Sequence, residues 1–197
     1  FGTHRILQNS EYKSRIMINL KFILALSFVA LTCSHQSETE ILLPKKEAIQ
    51  PFDLEKHIEQ YNSLKERVLQ MKTSAQTQTN SEKEKLLFTL ISDSIIPYWY
   101  GTEWDFNGIT QEPRKGKIAC GYFVTTTLRD AGIDLKRIWL AQQASSIIIE
   151  KLCQESSIKT LNDIEKLKNY LKQFGENQIF ILGLDNHVGF VIRENGE

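Results

Sequence analysis

Cysteine is scarce in this chain, with three in 197 residues. So few, and an odd number, exclude a disulfide framework, and each cysteine is read on its own. An excess of one charge is also missing, because 24 Lys and Arg balance 24 Asp and Glu. Nucleic acid is therefore not expected as a main partner, since phosphate binding needs a basic surplus on one face. A neutral or mixed-charge polymer stays possible. Histidine numbers only four. No Cys or His cluster has metal-ligand spacing, so neither a metal nor another cofactor is implied. Long apolar runs are absent too: the longest, Phe22 to Leu31, is too short to span a bilayer. Internal repeats are not found.

What remains is an apolar fraction of 41% and a charged fraction of 24%. That is the composition of a soluble globular protein, with enough length for one ordinary domain plus extra segments. Residues 1–16 show no clear pattern and are read as upstream sequence. Met17 opens a segment in which Lys21 precedes the apolar run, and Thr32-Cys33-Ser34 closes it. This is the layout of a signal peptide over 17–33. Cys33 resembles the lipid-acceptor cysteine of bacterial lipoproteins, although Ala30 and Thr32 depart from that family's preferred residues. The resemblance implies an exported membrane lipoprotein facing the periplasm or the cell surface, anchored to the membrane without crossing it. The polar stretch 34–51, with Pro44 and Pro51, reads as a tether.

Beyond the tether, 52–96 is expected to form an N-terminal helical segment. Leu54, Ile58, Tyr61, Leu64 and Val68 fall on one helical stripe, with Asp53 as N-cap. Ser81 and Glu84 suggest a capping box for a second helix that stops before Pro97. Residues 98–116 read as a loop. A helix follows from Gly121 to Ala131, ended by Gly132. A helix over Leu140–Cys153 comes next, then one capped by Thr160 and Asp163. Strands are expected over Gln178–Leu182 and Val188–Ile192. Glu194-Asn195-Gly196 reads as a hairpin turn, from which we expect the chain to continue into a further strand.

The chemistry concentrates at two points. Cys120 stands where a helix begins, and backbone N–H groups there favour a thiolate over the thiol of ordinary pKa about 8.5. The N–H at such a nucleophile is also a natural oxyanion donor. His187 opens a strand and is the histidine that follows Cys120, while His57 reads as a surface or capping side chain. A thiol with a nearby imidazole is the pair a cysteine hydrolase needs. Against this stands the ordinary fate of a cysteine, a buried inert thiol; Cys153, within an apolar helical stretch, reads that way. Trp99, Tyr100, Trp104 and Phe106 cluster in the loop before Cys120. They suit either a cleft wall for peptide or sugar rings, or a hydrophobic cluster that holds the loop down.

Pro97-Tyr98-Trp99-Tyr100-Gly101, then Cys120-Gly121-Tyr122-Phe123-Val124, then His187-Val188-Gly189-Phe190-Val191-Ile192 together resemble the NlpC/P60 group of papain-like cysteine peptidases. The resemblance covers roughly residues 85–197. It implies an α+β papain-like domain over 97–197, with a small antiparallel sheet packed on the Cys-bearing helix and N-terminal helices in front. By the same resemblance Cys120 is the nucleophile, His187 the general base, and Tyr98 a tyrosine over the substrate cleft. Trp99, Tyr100 and Trp104 are the other candidate substrate-binding residues. The implied substrate is the peptide of bacterial peptidoglycan. Ala119, Gly121 and Thr102 stand where the family has Asp, Ser and Gly. The third catalytic residue is expected beyond Glu197. Two other functions remain open: acyl transfer from lipids by the same pair, and a membrane-anchored adaptor binding a partner through the helices at 53–71 and 81–96.

Overall fold

The computed structural model describes residues 14–18 and 52–196. Cys33, the tether and the apolar run lie outside the described residues. Helix α1 spans Leu54–Ser74 and buries Ile58, Tyr61, Leu64 and Val68, the stripe that its periodicity predicts. The Asp53 carboxylate caps it, accepting from Lys56 N at 3.1 Å.

Helix α2, Asn80–Thr89, begins two residues before its expected start. Thr79 and Glu82 close the capping box. Both Thr79–Glu82 and Ser81–Glu84 satisfy the same pattern, so the motif alone does not choose between them. The expected stop before Pro97 is corrected. The helix widens into a π-turn segment over Leu90–Ile95 and continues as α3, Ile96–Trp99. Pro97 is the second residue of α3, directly after the widened turn. The widened turn carries Leu90, Ile91 and Ile95 into the interior.

Two short parallel strands, β2 (Glu103–Trp104) and β3 (Lys117–Ile118), close the following loop. Helix α4, Cys120–Asp130, starts two residues after β3. The single helix expected over Leu140–Cys153 is two, α5 (Arg137–Ala141) and α6 (Ser145–Leu152). The break has a physical cause on each side. The Ala141 carbonyl lies against Gly121, and the Ser145 hydroxyl donates to Leu184 O at 2.7 Å.

The main sheet contains β1 (Ser14–Ile18), β4 (Ile158–Leu161), β5 (Gln178–Leu184) and β6 (His187–Arg193), in the order β4-β1-β5-β6 with every neighbour antiparallel. Strand β1 crosses the division expected between residues 16 and 17. Thr160 lies in β4, so Asp163 alone caps the next helix, α7 (Ile164–Leu171), accepting from Glu165 N at 2.7 Å. The continuous apolar run of β5 follows from having both faces covered. Ile181, with Val188 and Phe190 of β6, packs toward α4. Phe180, with Val191, packs toward Leu167 of α7. Asn195 and Gly196 take positive φ of 49° and 87°, the backbone of the expected turn. The fold is mixed α+β, with the sheet packed on α4 through an edge-to-face contact of Phe123 and Phe190 at 5.9 Å.

Candidate active site

Cys120 is the first residue of α4, and its side chain is half-buried. The preceding Ala119 is extended (φ −83°, ψ 157°) and offers no side-chain cap. The first N–H groups of α4 therefore have no side-chain acceptor there, and the positive end of the helix dipole lies at the thiol. Gly121 is required by packing. A Cβ at this position would fall 2.2 Å from the Ala141 carbonyl oxygen, so a serine there would force α5 away.

His187 enters from the other side of the chain. It pairs with Leu184 across the two-residue turn Asp185–Asn186, at the end of the β5–β6 hairpin. Strand alternation puts it on the face of Gly189 and Val191, opposite the Val188 and Phe190 side chains that pack toward α4. Its place at the hairpin end nonetheless brings it to the same cleft as Cys120. That cleft has a volume of about 630 Å³, within the range of small-molecule sites. Among the described residues, no hydrogen bond joins the Cys120 thiol to the imidazole.

The loop before α4 forms a further wall of the cleft. Trp104, Phe106, Asn107 and Ile109 line it, and α5, α6 and the segment between them add Ala141, Gln142, Gln143 and Ser145. Tyr122 sits beneath, its hydroxyl accepting from Gln142 Nε2 at 3.1 Å. Arg137 positions this wall. Its guanidinium donates to Thr126 Oγ1 at 2.6 Å and to the carbonyls of Ile109 and Thr110 at 3.1 and 2.9 Å. It also lies over the Tyr122 ring, 4.7 Å from the centroid. Burial lowers the Arg137 pKa from its ordinary value.

The four aromatic candidates separate. Trp104 lines the cleft. Trp99 does not: it is 4% exposed and donates through Nε1 to the Tyr61 hydroxyl at 3.0 Å. Tyr61 in turn donates to Asp130 at 2.7 Å, and that carboxylate is held by Arg129 at 2.8 Å. Burial, followed by the nearby Asp130 charge, pushes the Tyr61 phenol upward. Tyr98 is also placed away from the thiol. Its ring packs between His57 and Tyr61, and its carbonyl accepts from His57 Nε2 at 2.9 Å. Tyr100 is exposed and offers its carbonyl to Arg114 Nε at 2.5 Å. The sequence held no signal for Gln142 and Gln143, which reach the site in the bend between α5 and α6, or for Arg137 at the start of α5. Cys153 is half-buried, and burial pushes its thiol up to about 11.

Comparison with protein-family models, with curated proteins and with solved structures returned no match to this chain.

Proposed function

We propose that the protein is an exported thiol-dependent hydrolase of the NlpC/P60 papain-like kind, cleaving amide bonds, with peptidoglycan peptides as the first substrates to test. The observation that carries this reading is that Cys120, at the uncapped start of α4, and His187 line one cleft. His187 takes the thiol proton, and the thiolate adds to the carbonyl carbon to form a C–S bond. The oxyanion meets the backbone N–H groups that open α4. The C–N bond then breaks, and the amine leaves with the proton held by His187. Water gives a proton to His187 and adds to the thioester. The C–S bond breaks, the acid is released and the thiol is restored.

Muropeptide cleavage, followed by chromatography of the products, tests the reading. Cys120→Ala should lower kcat/KM by at least about 10³-fold, and His187→Ala by about 10²–10⁴-fold. Cleavage that survives in Cys120→Ala would sink the thiol mechanism, and no cleavage by the unaltered protein, with its biological activity intact in Cys120→Ala, would leave the adaptor function in its place.

A further inference from the structure

Resting on the reading of Cys120 as nucleophile, we infer that the wall formed by Trp104, Phe106 and Ile109 is a subsite for an uncharged alkyl acyl group on the scissile carbonyl. These three side chains are 61%, 78% and 62% exposed, and all line the cleft that holds the thiol. Their exposure is not needed to fold the loop. Asn107 N donates to Asp105 Oδ1 at 2.8 Å, Gly108 N to Asp105 O at 2.9 Å, and Arg137 grips the carbonyls of Ile109 and Thr110. The loop is thus held by backbone bonds and one buried guanidinium, while its apolar side chains stay in water. Large apolar groups gathered beside a reactive thiol mark a surface meant to be covered.

Charge narrows what covers it. Among the described residues that line the cleft there is no Lys or Arg, and Asp185 supplies the one carboxylate. Asn107, Gln142, Gln143 and Asn186 add neutral amides. An acyl group ending in a carboxylate would meet no Lys or Arg and would be repelled by Asp185. An alkyl chain gains from burial against the indole and phenyl faces, in proportion to its length.

A series of p-nitrophenyl esters below their aggregation concentrations tests this: acetyl, butyryl, octanoyl and glutaryl. The thiolate forms the C–S bond, the ester C–O bond breaks, and p-nitrophenolate leaves with the electron pair. The expected result is a kcat/KM that rises about tenfold or more from acetyl to octanoyl, with glutaryl below butyryl and every rate dependent on Cys120. In a Trp104→Ala Phe106→Ala double variant the octanoyl-to-acetyl ratio should collapse toward unity, and Trp104→Phe should keep most of it. Both positions are exposed, so the variants fold. A flat profile that still depends on Cys120 overturns the alkyl subsite and leaves the thiol hydrolase standing. Glutaryl outpacing butyryl also overturns it. If no ester is turned over in a Cys120-dependent way, the subsite falls, while the hydrolase is still decided by Cys120-dependent muropeptide cleavage.

Discussion

The Tyr61 hydroxyl and the Cys153 thiol both shape how the protein answers to alkali. The Cys153 thiol is moved by burial from 9.0 to about 11, and the Tyr61 phenol is raised by burial and by Asp130. Both are neutral in the folded state at a pH where the unfolded chain ionises them. Each therefore stabilises fully below its unfolded-state pKa, and that contribution is lost as pH rises toward the folded value. Urea midpoints should be flat up to about pH 9 and fall between about 9 and 11, the interval of the Cys153 shift. Cys153→Ala and Tyr61→Phe should each make the fall shallower. A midpoint that rises over that interval would contradict the assignment. The same contrast was readable in the sequence: Cys153 lies in an apolar stretch and reads as a buried inert thiol, whereas Cys120 follows β3 at a helix start, and sequence order alone marks that position.

At the scale of elements, the meeting of α4 with α5 shapes the cleft. A glycine that opens a helix is a weak signal in sequence, where it reads as a convenience of the turn. In the structure the Ala141 carbonyl oxygen lies 2.2 Å from where a Cβ on Gly121 would stand. Gly121→Ala should cost about 1–3 kcal/mol, as overpacking does, read as a lower thermal midpoint. The gain in helix propensity from Gly to Ala, roughly 1 kcal/mol, works in the opposite direction. An unchanged or higher midpoint would mean that α5 yields to the added methyl. The bend at 142–144 was not legible because Leu140–Cys153 carries helical periodicity throughout, while the break is set by partners distant in sequence, Gly121 and Leu184.

For the whole molecule, the segments read as 52–96 and 97–197 share one core. Tyr61, Leu64 and Val68 of α1 join Ile91, Ile95, Trp99, Val124 and Leu128 in a single cluster. The hydrogen-bond chain from Trp99 through Tyr61 to Asp130 ties α3, α1 and α4 together within it. Among the described residues no helix is long and apolar enough to cross a membrane. Attachment through Cys33 is the proposal that follows from the lipoprotein-like segment, and it entails release of residues 1–32 with β1, which pairs with β4 and β5 in the unprocessed chain. Mass spectrometry of the protein from a membrane fraction should find a diacylglyceryl adduct on Cys33. A mature N-terminus without it would remove the anchor.

By itself the sequence determined the local structure: the stripe and cap of α1, the helix that begins at Cys120, the β5 and β6 strands, and the turn at Asn195–Gly196. These depend on periodicity, capping and backbone preference, which act over a few neighbouring residues. It also singled out Cys120 and His187 as the pair to examine. Only the tertiary structure decided which aromatics face that pair. Trp99 and Trp104 are five positions apart and equally apolar, yet the first is sealed in the core by Tyr61 and the second stands in the cleft. Burial depends on what the rest of the chain brings alongside, and here that is α1 for one tryptophan and open water for the other.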